Sequence, residues 1–130
     1  MGIDVRWDNT EKTTIYCEFE AEWTLADFHK MVDVVYALMT SVTQPVSLIN
    51  DFTKSRVPPR QWLSAGSHVE KRKSSNTDLS LVVGASPFVK VMLNIAQKLF
   101  LKNMHVYVVD TLHEAHQIIE THKQKQKMFV

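Results

Sequence analysis

Leu79-Ser80-Leu81-Val82-Val83-Gly84-Ala85-Ser86-Pro87 decides how this chain folds. Leu79 to Val83 is a short apolar run of strand length, and the following Gly84-Ala85 turns the chain. Ser86 is a natural N-cap and Pro87 a natural first helical residue, since that position needs no amide donor. The helix they open has Phe88, Val91, Met92, Ile95, Ala96, Leu99 and Phe100 as its expected buried stripe. A strand leading into a capped helix is the first half of a β-α-β crossover. Val106-Tyr107-Val108-Val109 supplies the strand on its far side.

The same grammar runs upstream. Thr24, with Asp27 three residues on, makes a capping-box-like start, and Leu25, Phe28, Met31, Val32, Val35, Leu38 and Met39 follow at helical spacing. Pro45 stops that helix, and Val46-Ser47-Leu48-Ile49 reads as a strand buried on both faces. Asp51 to Val57 is a polar loop, and Pro58-Pro59 starts a second helix with Trp62, Ala65, Gly66 and Val69 inward. Gly66 and Ser67 make this the weakest helix, and Ser74-Ser75-Asn76 ends it. At the N-terminal side, Ile3, Val5 and Trp7 alternate with polar residues, as do Ile15, Cys17 and Phe19 beyond a polar turn, which predicts a β-hairpin. Thr111 with Glu114 forms a second capping box, opening a helix through Ala115, Ile118 and Ile119; residues 123–130 are expected to fray.

The predicted order is β-β-α-β-α-β-α-β-α. It is an α/β fold with a five-stranded mixed sheet, mostly parallel, and four helices in a single domain over residues 1–130. Right-handed crossovers make strands two to five parallel, with the first strand antiparallel beside the second.

Composition narrows the function classes. With 15 basic and 14 acidic residues the formal charge is +1, against the clear basic excess that phosphate backbones demand, so no nucleic-acid partner is expected. The basic runs Lys71-Arg72-Lys73 and Lys123 to Lys127 read as solvated helix ends. One cysteine, Cys17, excludes an intramolecular disulfide, and its place on a strand's apolar face predicts a buried, inert thiol. The apolar runs are too short for a transmembrane segment and no secretory signal is visible, so a cytoplasmic location is expected. The glycines at 2, 66 and 84 cannot build a dinucleotide fingerprint or a P-loop.

The residues Val46-Ser47-Leu48-Ile49-Asn50-Asp51, Leu81-Val82-Val83-Gly84 and Val108-Val109-Asp110-Thr111-Leu112-His113-Glu114-Ala115 together carry a family resemblance. From about Ile3 to His122 the layout resembles the SpoIIAA-like, or STAS, fold, which is related to the lipid-binding CRAL-TRIO domains. The resemblance implies a non-enzymatic, regulatory module that binds a partner kinase and is switched by phosphorylation of a serine following an aspartate at the second helix. Here that region reads Val57-Pro58-Pro59-Arg60, without the Asp-Ser pair. Thr53 and Ser55 lie upstream, outside the motif, so the phospho-switch does not carry over.

Two candidate sites follow. In open α/β sheets ligands bind at the carboxyl ends of strands. That rim holds Asp51, Thr53 and Ser55, then Gly84, Ala85 and Ser86, then Asp110 and Thr111. Each following helix points its positive amino end there, which suits a small anion; the same hydroxyls serve equally as helix caps. Trp62, Phe88 and Met92, with Trp23, could line an apolar pocket between helices and sheet, or be ordinary core. His113 and His116 have a chelating spacing, yet Glu114 and Glu120 complete no familiar ligand set, so no metal is expected. No cofactor and no catalytic residue is predicted. The expected function is a non-catalytic STAS-like module that meets a protein partner or forms a homodimer. The alternative is a binder or sensor of a small apolar, lipid-like ligand.

Overall fold

The computed structural model describes residues 2–56, 58–99 and 104–128. The hairpin expected from the first two alternating runs is β1 (Ile3–Trp7) and β2 (Thr14–Phe19). Then follow α1 (Leu25–Thr40), β3 (Val46–Asp51), a 3-10 segment (Arg60–Ala65) running into α2 (Gly66–Lys71), and β4 (Thr77–Val83). The chain continues with α3 (Pro87–Leu99), β5 (His105–Val109) and α4 (Leu112–Met128). The sheet has five strands in the order β1-β2-β3-β4-β5; β1 runs antiparallel to β2 and every other pair is parallel. The fold is the α/β architecture that the order of runs and caps predicts. No described helix is long and apolar enough to cross a membrane.

Local chemistry sets the boundaries. Thr24 and Asp27 form a full capping box, each side chain accepting from the other's backbone amide at 3.0 Å. Ser86 Oγ accepts from the Val89 amide at 3.3 Å, and Thr111 Oγ1 from the Glu114 amide at 3.2 Å. In that last pair the reciprocal bond differs from the expected box: Thr111 donates its hydroxyl to the Glu114 carboxylate. Asn76, which ends α2's loop, also ties down α1, donating to the carbonyls of Met39, Val42 and Gln44. The second helix is split: Arg60–Ala65 has 3-10 geometry and Gly66–Lys71 is α-helical, so Gly66-Ser67, the expected weak point, stand at the start of the α-helical half. Past Lys123, where fraying is expected, α4 is helical to Met128: Lys123 Nζ donates to Thr13 Oγ1 at 2.9 Å and His122 Nε2 meets Asp78 Oδ1 at 2.9 Å. Phe129 and Val130 lie outside the described residues.

Because successive strands are added in one direction, their crossovers share one face. Ile15, Cys17, Phe19, Val46 and Val82 pack there against α1, Trp62 and Val89. The opposite face, with Tyr16, Ile49, Leu81 and Val83, packs on Ala115 and Ile119 of α4. Cross-strand register lines up two rows on the three-helix face: Trp7, Ile15, Leu48, Ser80, Val106 and Val5, Cys17, Asn50, Val82, Val108. Both rows are apolar except for Ser80 and Asn50.

The expected phase of α3 is corrected by the structure. Phe88, Val91, Ile95 and Leu99 are exposed (49%, 58%, 38% and 59%), while Val89 is buried and Met92, Leu93 and Ala96 are half-buried. The helix is thus turned by about a quarter turn from the expected stripe. Ser86 and Pro87 fix where it starts, whereas its rotation follows the sheet rows beneath it. Phe100, expected on the same stripe, and Val57 lie outside the described residues.

Candidate functional site

At the carboxyl ends of the strands the structure does assemble the expected rim, and it shows what each side chain does there. Asp51 accepts from the amide of Thr53 at 2.9 Å and from the hydroxyls of Thr53 and Tyr16. Burial pushes the Asp51 carboxyl up, but the hydrogen bonds from Thr53 and Tyr16 and the Lys54 charge outweigh it, leaving its pKa below the usual value. Burial first, and then the bond to Asp51, push the Tyr16 phenol upward. Gly84 has φ +69°, and a Cβ there would lie 2.8 Å from Thr53 Oγ1 and 3.1 Å from Thr53 Cα. Glycine is therefore required both for the turn and for the close approach of the two loops. Ser55 Oγ accepts from the Trp23 indole at 2.8 Å, and Ser86 and Thr111 cap α3 and α4. Asp110 is exposed beside Thr111. The rim hydroxyls all make internal hydrogen bonds.

Beneath the rim lies an aromatic cluster. Phe19 stacks on Phe52 with ring centroids 4.2 Å apart, and Trp62 meets Trp23, Phe28 and Phe52 at 5.6, 5.9 and 5.8 Å. Trp62 is 8% exposed and held on three sides by rings. It is an end wall rather than a door.

From that wall a cavity of about 130 Å³ runs along the three-helix face of β3 and β4. Met31, Val32, Val35 and Met39 of α1 form its roof, Leu48, Val82 and Val106 its floor, and Leu93 of α3 one side. Two polar residues interrupt the floor. Ser80 is 4% exposed and, among the described residues, its Oγ is the buried side-chain polar atom with no hydrogen-bond partner. Asn50, half-buried, is its diagonal neighbour in the next row. An unpartnered buried hydroxyl costs about 1–3 kcal/mol, so its presence in an apolar wall calls for a partner.

The cavity's other end carries charge. Arg72, Lys73 and Thr77 line it where α2 ends and β4 begins, and Arg72 and Lys73 are exposed, so this end opens to solvent. Thr77 and Ser80 share the cavity face because the β3–β4 register shifts between Val46 and Leu48, a bulge that places one extra residue in β4. Arg72 Nε and His68 Nε2 both reach Asp33 Oδ1 of α1, at 3.1 and 2.9 Å. The His68 hydrogen bond and the Arg72 guanidinium hold the Asp33 carboxyl below its usual range, against a smaller opposing effect of desolvation. No acidic side chain lines the cavity among the described residues.

Compared with protein-family models and with curated protein sequences, the chain matches none.

The expected pocket residues divide. Trp62 lines this apolar cavity and also a smaller one of about 70 Å³, whose wall includes Met92, Leu63, Val69 and Ala96. Phe88 lines neither; the rotation of α3 turns it outward. Cys17 is fully buried under α1, and desolvation pushes its thiol upward, away from the reactive thiolate form. His116 meets Asp8 at 2.8 Å while His113 is exposed, and no cluster of three or more His, Cys, Asp or Glu suited to a metal exists among the described residues.

Sequence reasoning missed Ser80, Asn50, Arg72 and Lys73. A signal was available for the first two. Ser80 interrupts an apolar run read as a strand, and Asn50 directly follows another, so each places a polar group in a central strand. The basic pair carried no such signal, since a charged helix end looks the same whether or not a cavity opens beside it.

Proposed function

We propose that this chain binds a small, largely apolar molecule in the cavity between the sheet and α1–α3, as a carrier or sensor and not as an enzyme. The observation that supports this reading is the orphaned Ser80 hydroxyl in a floor that is apolar but for Ser80 and its diagonal neighbour Asn50. A cavity of this size is close to the roughly 150 Å³ that accepts benzene in an engineered core. Benzene or indole should therefore bind saturably and raise the melting temperature of the full chain. Val82→Phe, which fills the floor, should abolish that binding; Val106→Phe gives the same test from the neighbouring strand. A protein whose melting temperature and NMR spectrum ignore both probes at millimolar concentration would refute the reading.

A second reading, a STAS-like regulatory module that pairs with a second copy, is favoured by one surface. Phe88, Val91, Ile95 and Leu99 form an outward apolar stripe on α3, and Val108 (42% exposed) shares that side of β5, an edge strand with no further partner in the sheet among the described residues. Sedimentation should then show a concentration-dependent dimer that Val91→Glu dissolves. A monomer at several hundred micromolar would remove this reading.

A further inference from the structure

We infer that the cavity selects a small amphipathic monocarboxylate, with its carboxylate at Arg72 and Lys73 and a hydroxyl or carbonyl at its far end meeting Ser80 and Asn50. This rests on the apolar-ligand reading and adds to it the ligand's chemical class.

Three observations converge. The charged groups lining the cavity, Arg72 and Lys73, are both positive, and both stand at its solvent end. Arg72 shares its Nε with Asp33, but Lys73 forms no ion pair among the described residues, so a net positive charge faces the opening. An anion seated there keeps contact with water, which avoids the large cost of burying a charge. The second observation is the polar pair in the floor. By strand geometry Asn50 and Ser80 are about 8 Å apart across the β3–β4 diagonal, which leaves room for one polar group between them. Ser80 can donate or accept, and the Asn50 amide can do both, so a hydroxyl or a carbonyl satisfies the pair. The third is their separation from the charged end. Ser80 lies three residues along β4 from Thr77, about 10 Å at strand rise, somewhat less across the bulge. A ligand that meets both ends has a carboxylate and a second polar atom separated by an apolar body of roughly benzene size. The walls between them, Val35, Leu48 and Val82, offer such a body nothing but hydrocarbon.

Three probes separate the parts: 3-(4-hydroxyphenyl)propionate carries both polar ends, 3-phenylpropionate lacks the hydroxyl, and 3-(4-hydroxyphenyl)propan-1-ol lacks the charge. In calorimetric titration of the full chain at low salt, the first should bind about five-fold tighter than either of the others. Lys73→Gln should reduce its advantage over the alcohol, with the loss falling mainly on the acid, because Arg72 still faces the carboxylate. Ser80→Ala should erase its advantage over 3-phenylpropionate. If acid and alcohol bind the native protein equally, the anionic class is overturned and the cavity reading stands. If benzene and indole bind but all three probes fail, the two-ended geometry is overturned. If none of the five binds, both readings fall together.

Discussion

Replacing Ser80 by alanine removes the one buried hydroxyl that the described fold leaves without a partner, and the protein should become more stable, against the usual sign for a core substitution. Leaving a buried polar group unsatisfied costs about 1–3 kcal/mol. Deleting one oxygen enlarges the adjoining cavity by an atom's volume, which at roughly 24 cal/mol per Å³ costs about 0.4 kcal/mol. The expected net gain is therefore about 1 kcal/mol or more in the ligand-free protein. For a chain of 130 residues that corresponds to about 4 °C in melting temperature. Urea denaturation should show a higher midpoint with an unchanged slope, since the surface exposed on unfolding is the same. A loss of about 1 kcal/mol in Ser80→Ala would refute the reasoning. It would mean that the hydroxyl is already satisfied within the fold, and the main support for a polar ligand atom in the cavity would go with it.

Further outcomes are expected. Val89→Ala should cost about 2 kcal/mol and Phe88→Ala well under 1, since Val89 is buried and Phe88 is half exposed; the reverse ranking in urea denaturation would contradict the observed phase of α3. Gly84→Ala should destabilise by at least about 2 kcal/mol, as it forces a left-handed residue and a Cβ against the Thr53 backbone; a neutral result by thermal unfolding would show that the two loops are not held together. Asp51 has a depressed pKa in the folded state, so it contributes stability that is present above its unfolded pKa and lost as pH falls through the lower folded value. Asp51→Asn should accordingly flatten the acid limb of the stability–pH curve below about pH 4, and an unchanged limb would count against the Thr53 and Tyr16 bonds. Cys17 should react with a thiol reagent only at the rate of global unfolding, given its full burial.

Much of the fold was legible because its signals are local. A serine or threonine three residues before the amide it caps, a proline that cannot continue a helix, and apolar alternation at period two each act within one turn or one strand. Thr24, Ser86 and Thr111 begin their helices where those rules place them. The rim was legible too, since parallel strands with helical crossovers bring their carboxyl ends together. Its chemistry was less so. Spacing cannot show that Thr53 is bonded to Asp51, or Ser55 to Trp23.

The sequence by itself determined the order, type and approximate ends of the elements, because caps, breakers and hydrophobic periods are short-range interactions written into neighbouring residues. Only the tertiary structure decided which way α3 turns. Phe88, Val89, Val91, Met92, Leu93, Ile95, Ala96 and Leu99 offer apolar surface around most of that helix, and the choice among faces depends on the sheet rows below. The cavity follows from the same cause. Side chains of α1, α2 and α3 meet over Leu48, Ser80 and Val82 without filling the space, and a gap between long-range neighbours leaves no trace in the spacing of any single segment.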